Sequence, residues 1–363
     1  MRRLNDTLGR LSAIRNITLP AATGTGKDRL SDLSEFGSNP GGLRGRFYVP
    51  PTLPASAALV VVLHGCTQDA AGYDHGSGWS RLADERGFAL LYPEQQRGNN
   101  ANLCFNWFNR SDTQRDSGEA LSIRQMVAAM VAEYPINSGR IFVTGISAGG
   151  AMASVMLATY PEVFAGGAII AGLPYGTATS IAEAFDRMRA HGGPPAGALG
   201  ALVSTASPHK GPWPTISVWH GDRDATVSHA NSASIVEQWR SIHEVAREPG
   251  AVQHVDGHLR RAWRDTHGRE VIEEYRIAGL GHGTPLSTSG VDACGAAGPY
   301  MLEAGISSTR RIAHFWGLTT ARTEDLPELT GPQPCVAQPA SQPASDGAGR
   351  VIEDALRSAG LMR

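Results

Sequence analysis

The six consecutive apolar residues Ala58-Leu59-Val60-Val61-Val62-Leu63 read as a strand with no polar face. A half-exposed strand alternates apolar and polar residues, so a continuous run belongs in a sheet covered on both sides. Gly87-Phe88-Ala89-Leu90-Leu91-Tyr92, stopped by Pro93, is a second such run, and residues 140–144, 165–170 and 215–220 add three more strand-like segments. Helical patterns separate them. Between Ala120 and Tyr134 the spacing puts Ile123, Met126, Val127, Met130 and Val131 on one face, and helices are predicted at 148–159 and 231–243. This alternation predicts an α/β protein with a mostly parallel central sheet and helices on both faces. Right-handed crossovers then gather the loops at the carboxyl ends of the strands along one rim.

Around that centre the chain divides by composition. Residues 1–42 are polar and glycine-rich and read as an irregular N-terminal arm, and Arg44–Val49 reads as an edge strand closed by Pro50-Pro51. The catalytic-sized unit runs from 43 to 318. Within it, residues 173–212 carry glycine and proline clusters with one amphipathic stretch, Ile181–Met188, and interrupt the alternation as a cap or lid insertion would. A hairpin is expected from Arg260–Asp265 and Glu270–Ile277 around Thr266-His267-Gly268, and a last helix near Ser307–Phe315. Residues 319–363 read as a Pro/Ser/Ala-rich linker and a short tail, with an amphipathic helix at 350–361.

With 363 residues, 41% hydrophobic and 18% charged, the composition is that of an ordinary globular protein. A net charge of −2 gives no electrostatic reason to expect nucleic acid as a partner. No run approaches a membrane span, and no secretory signal is visible behind Arg2-Arg3. The expected home is the cytoplasm, or outside the cell if the chain is a processed form. Oligomeric state is not readable. The four cysteines, Cys66, Cys104, Cys294 and Cys335, form no C-x-x-C pair, so no zinc site is expected. Cys66 and Cys104 lie in loops that converge on one rim, either bonded or as two buried thiols. His254 and His258 sit beside a turn at Asp256-Gly257 and do not read as a metal pair. Gly24-Thr25-Gly26-Lys27 ends in Asp28, lacks the first glycine and does not follow a strand, so no nucleotide site is expected.

Chemistry enters at Gly145-Ile146-Ser147-Ala148-Gly149. In a chain with 43 glycines this pentapeptide alone means little, but here it lies between a strand and a helix. A serine on such a turn presents its hydroxyl above the sheet. That hydroxyl needs a base, and the base needs an acid to fix its tautomer. The acid candidates are Asp222 and Asp224, after the strand ending at His220; His282 in Gly281-His282-Gly283, after the last strand, is the base candidate. The order serine, acid, histidine is that of α/β-hydrolases. The pattern His-Gly-x-x-Asp-x-x-Val points to Asp224, leaving Asp222 to brace the turn with Arg223 and His220 as a structural residue. An oxyanion needs backbone N–H donors: Ala148 supplies one, and Cys66, or less favourably Thr67, supplies the second from the loop His64-Gly65-Cys66-Thr67-Gln68. Asn106, Trp107 and Trp213 are candidates for lining a substrate groove.

Taken together, Leu63-His64-Gly65-Cys66-Thr67-Gln68, Leu91-Tyr92-Pro93-Glu94-Gln95-Gln96, Cys104-Phe105-Asn106-Trp107-Phe108, Gly145–Gly150 and Gly281-His282-Gly283 resemble the polyhydroxybutyrate depolymerase family of esterases, related to feruloyl and acetylxylan esterases. The resemblance covers roughly residues 43–317. It implies an α/β-hydrolase fold, no cofactor, and hydrolysis of hydroxyalkanoate esters or their polymers through an acyl-enzyme. It places the nucleophile on Ser147, the acid on Asp224, the base on His282 and an oxyanion donor on Cys66. Feruloyl or acetyl esters of plant polysaccharide are the alternative substrates, and an inactive hydrolase fold used for binding is a third reading. In the family a cysteine often follows Pro174-Tyr175-Gly176, where this chain has Thr177, so Cys294 is expected to lack a usual partner.

Overall fold

A computed structural model describes residues 28–319. Cys335, the predicted helix at 350–361 and the Gly24–Lys27 segment lie outside the described residues. Ten strands form one sheet: β1 (Ser31–Leu33), β2 (Arg44–Tyr48), β3 (Ala57–Leu63), β4 (Ala89–Glu94), β5 (Ile136–Ile146), β6 (Gly166–Ile170), β7 (Thr215–Gly221), β8 (Ala251–Val255), β9 (His258–Arg264) and β10 (Glu270–Ile277). Their spatial order is β1-β2-β4-β3-β5-β6-β7-β10-β9-β8. The six central strands from β4 to β10 run parallel, and the antiparallel pairs sit at the two edges. The last two strands, β11 (Thr284–Leu286) and β12 (Met301–Glu303), make a separate parallel pair just beyond His282.

All seven residues of β3 are buried. The pleat sends Leu59, Val61 and Leu63 into one core cluster and Ala58, Val60 and Val62 into the other. That is why the run carries no polar residue. The helices are α1 (Ala70–Ser77), α2 (Trp79–Arg86), α3 (Arg110–Thr113), α4 (Gly118–Glu133), α5 (Ala148–Thr159), α6 (Ile181–Met188), α7 (Ala196–Ser204), α8 (Ala230–His243) and α9 (Ser308–Phe315). Every residue of α5 is buried, which its Ala- and Gly-rich composition permits at close range to the sheet.

Three expectations are corrected. The N-terminal arm is not wholly irregular, because Ser31–Leu33 pairs with β2 as the sheet's edge. Pro93 does not stop β4: it stands opposite Gly45 in the antiparallel pairing, and the strand continues to Glu94. The strand before Ser147 begins at Ile136, four residues earlier than expected. The insertion between β6 and β7 forms α6 and α7, which are fastened to α8. Ser228 N donates to Met188 O at 2.7 Å, Asn231 Nδ2 to Arg187 O at 3.0 Å, and Gln238 Nε2 to Leu199 O at 3.1 Å.

Candidate active site

Ser147 holds φ +56° and ψ −119°, a strained conformation for a residue with a Cβ. The turn is possible only because its neighbours are glycines. A Cβ on Gly145 would lie 2.4 Å from Gly149 backbone atoms, and one on Gly149 would lie 2.3 Å from Leu63 O and 2.4 Å from His64 O. Ser147 N is anchored to Ile170 O at 2.9 Å. The hydroxyl is thereby fixed at the carboxyl end of β5.

The neighbouring strand ends bring the partners. His282 Nε2 lies 2.9 Å from Ser147 Oγ, and His282 Nδ1 lies 2.7 Å from Asp224 Oδ2. Asp224 is buried, and its Oδ1 accepts the N–H groups of Thr226 and Val227, both at 2.8 Å. Burial alone would raise its pKa, but the facing His282 and His220 hold it well below the usual carboxylate value. A carboxylate kept charged next to Nδ1 leaves Nε2 free to accept a proton from the serine. This arrangement can activate a hydroxyl as a nucleophile.

Asp222 does something else. Its Oδ1 accepts Gly279 N at 2.8 Å, while its own N donates to Ile277 O at 3.1 Å. It ties the acid loop to the histidine loop. Its nearest cation is Arg276, at 3.9 Å, and Arg223 contributes its backbone N to Leu280 O instead. The two loops run so close that a Cβ on Gly221 would meet Leu280 O at 2.3 Å.

Across from Ser147 the loop after β3 is held from several sides. Gly65 N donates to Gln68 Oε1 at 2.8 Å, and Thr67 N donates to Asn102 O at 2.7 Å. Thr67 is therefore not a free donor. Cys66 N makes no hydrogen bond among the described residues, and neither does Ala148 N at the start of α5. Both are available to an incoming oxygen. A disulfide joins Cys66 to Cys104, with the Cα atoms 4.2 Å apart, pinning this loop to the 95–109 segment.

The groove candidates separate. Trp107 is 9% exposed and belongs to the core cluster. Asn106 is spent on structure: its N donates to Glu119 Oε2 at 2.9 Å and its Oδ1 accepts Asn100 Nδ2 at 2.9 Å. Trp213 precedes β7, so it lies at the amino ends of the strands with Pro161, Phe164, His243 and Val271, on the opposite rim from Ser147. Trp213 is therefore not placed to line a groove at Ser147, while Trp107 is mostly buried and Asn106 is held by structural contacts. Cys294 is a buried thiol against Ser77 O and Gly78 O, pushed up to about 11 by burial, and Thr177 Oγ1 donates to Pro174 O.

Three contributions were not assigned from sequence. His220 is more than a strand-end residue: its Nε2 faces Val227 O at 2.8 Å and Asp224 Oδ2 at 3.2 Å, so it braces the acid from behind. Its place in His-Gly-x-x-Asp was the available signal. Glu119, fully buried at the start of α4, accepts from Gln95 Nε2 at 2.6 Å, while Gln95 N donates to His64 Nε2 at 3.1 Å and His64 Nδ1 donates to Gly65 O at 2.7 Å. This chain of contacts supports the loop bearing Cys66, and burial keeps His64 below its ordinary pKa. Tyr300, far along the chain, packs its ring edge-on to His282 with centroids 6.1 Å apart.

A parallel sheet with a strained serine turn, followed in order by an acid loop and a histidine loop, defines an α/β-hydrolase. Residues 43–260 match the family model described as Esterase PHB depolymerase, and the chain belongs to this family of carboxylic ester hydrolases. Poly(3-hydroxyalkanoate) depolymerase C of Paucimonas lemoignei is 46% identical over 291 residues, covering 80% of this chain and 70% of that protein. An acetylxylan esterase of Coprinopsis cinerea is 30% identical over 277 residues, covering 74% and 73%. Feruloyl esterase B of Talaromyces funiculosus is 29% identical over 270 residues, covering 72% and 74%. Among solved structures, the acetyl xylan esterase from Aspergillus awamori superposes with a TM-score of 0.66 over 80% of this chain and 99% of its own, at 22% identity, which speaks for the fold. No helix among the described residues is long and apolar enough to cross a membrane.

Proposed function

We propose that this chain hydrolyses poly(3-hydroxyalkanoate), or its oligomers, through an acyl-enzyme on Ser147. The observation that carries the reading is the continuous contact from Ser147 Oγ through the His282 ring to buried Asp224. His282 takes the serine proton as Oγ attacks the ester carbonyl. The N–H groups of Cys66 and Ala148 receive the developing oxyanion. His282 then returns the proton to the leaving alcohol, and water repeats the cycle on the acyl-enzyme. A protein that only bound polymer would have no use for a strained serine in contact with an imidazole.

The choice of substrate rests on the higher identity to the Paucimonas lemoignei depolymerase, 46% against 30% for the acetylxylan esterase of Coprinopsis cinerea. Esters of plant polysaccharide stay the second reading, favoured by the several relatives of that kind. The Cys66–Cys104 bond beside the site supports work in an oxidising compartment, since such bonds persist there. The test compares turnover of 3-hydroxybutyrate oligomers, methyl ferulate and acetylated xylan by the wild type and by Ser147→Ala. The oligomers should be the best substrate, and Ser147→Ala should lose at least about 10³-fold in kcat while keeping its melting temperature. Retained turnover in that variant would place the nucleophile elsewhere, and a preference for ferulate or acetylxylan would exchange the two readings.

A further inference from the structure

Tyr300 holds φ +62°, a conformation that a bulky aromatic residue rarely adopts unless its surroundings impose it. Two contacts impose it here. Tyr300 O accepts the N–H of Thr284 at 2.7 Å, which fixes its backbone to the segment immediately after His282 and Gly283. The approach is so close that a Cβ on Gly283 would lie 2.9 Å from Tyr300 O. The ring then stands edge-on to His282, and burial raises the phenol's pKa while the nearby Thr67 side chain, next to Cys66, pulls it the other way. The side chain is only partly buried, so part of it stays open to solvent. Tyr300 thus spans the loop of the base and the loop of the oxyanion donor.

Those two neighbours decide which part of an ester the ring can meet. In the attack on an ester, the carbonyl oxygen turns to the N–H groups of Cys66 and Ala148. The leaving alkoxide must lie within reach of His282 Nε2, because that nitrogen returns the proton. A side chain packed edge-on to His282 and standing near the Cys66 loop therefore borders the alcohol portion of the ester and not the acyl portion. We propose that Tyr300 is a specificity-determining residue whose ring forms the wall against the alcohol portion, for the polyester the next hydroxyacyl unit. The assignment rests on the esterase reading above.

Two ester series test it. One keeps butyrate and varies the alcohol among methanol, phenol and 3-hydroxybutyrate; the other keeps p-nitrophenol and varies the acyl group among acetyl, butyryl and hexanoyl. Wild type, Tyr300→Phe, Tyr300→Ala and Tyr300→Gly are compared by kcat/KM, pH–rate profile and thermal melt. Tyr300→Gly removes the ring and also suits the left-handed backbone, so it folds where Tyr300→Ala fails to. Ring removal should change the ratios of kcat/KM along the alcohol series by about tenfold, the size of one pocket contact. It should leave the acyl ratios within about twofold and the pH profile unmoved, while Tyr300→Phe keeps the wild-type ratios. An equal change along the acyl series, a uniform loss across both, a moved pH profile or unchanged alcohol ratios would each overturn the assignment. Failure of the wild type on every ester would instead refute the esterase reading itself.

Discussion

Replacing Asp224 by Asn isolates what its charge contributes, because the amide is nearly isosteric with the carboxylate. Oδ1 already accepts Thr226 N and Val227 N, both at 2.8 Å, so an Asn will place its oxygen there. Its NH2 group must then occupy the Oδ2 position, 2.7 Å from His282 Nδ1 and 3.2 Å from His220 Nε2. His220 Nε2 must carry its proton, since Val227 O faces it, and its Nδ1 is buried without a partner among the described residues. The amide therefore meets a donor on one side and can be satisfied only by His282. His282 responds by accepting at Nδ1 and carrying its proton on Nε2, the atom that has to take the serine proton. Inverting the tautomer in this way costs roughly 10⁴-fold in kcat, or about 5.5 kcal/mol of barrier. Asp222→Asn keeps an oxygen for Gly279 N and should lose less than about tenfold. Initial rates on p-nitrophenyl butyrate, with a thermal melt for each variant, decide the matter. A loss below tenfold for Asp224→Asn, or a larger loss for Asp222→Asn, would refute the assignment of the acid.

Gly149→Ala should be inactive and less stable by at least about 1–3 kcal/mol, read from a melt, because its Cβ would strike the Leu63 and His64 carbonyls within 2.4 Å and neither is free to move. The Cys66–Cys104 bond closes 38 residues of chain, worth about 4 kcal/mol by loop entropy. Converting both cysteines to serine should lower the melting temperature and reduce kcat more than it raises KM, since the Cys66 N–H loses its fixed aim. Glu119 provides a pH test. Burial pushes its carboxyl up to about 8, against three donors that pull the other way. A raised carboxyl pKa means the folded state holds the proton more tightly, so stability is full below the ordinary value near 4.5 and declines as pH rises towards 8. The span corresponds to at most about 5 kcal/mol. Melts of wild type and Glu119→Gln between pH 5 and 9 should diverge with rising pH, and a constant gap would show that Glu119 does not titrate in that window.

Much of this site could be read from the chain because it obeys local rules. A short β-branched apolar run reads as a strand buried on both faces, and β3 supplies both cores as its pleat requires. Residues that follow a strand fall on the carboxyl rim, so Ser147, Asp224 and His282 could be expected to meet, and they do. Trp213 was misjudged under the same rule: it precedes β7 and so faces the opposite rim. Trp107 packs in the core cluster instead of standing exposed. An aromatic residue in a loop has the same sequence signature whether it lines a groove or plugs the core, and the partners that settle the matter lie elsewhere in the chain.

What sequence hides most completely is strain. Thr67, Ser147 and Tyr300 all hold positive φ, and none is a glycine. A chain reader expects glycine or asparagine at such positions, because the left-handed region costs other residues about 1–2 kcal/mol each. The cost is met by contacts that arrive from distant segments: Ile170 O on Ser147 N, Asn102 O on Thr67 N, and Thr284 N on Tyr300 O. Two of them carry what a glycine would lack, a hydroxyl over the sheet at Ser147 and a ring against His282 at Tyr300. Only the serine could be anticipated, since its flanking glycines advertise the crowded turn. Tyr300 is imposed by the β11–β12 pairing, a three-residue ladder with no pattern long enough to register in the sequence. The positions proposed for the reacting centre are thus local and legible, while those proposed to shape what enters it depend on pairings that only the folded chain makes.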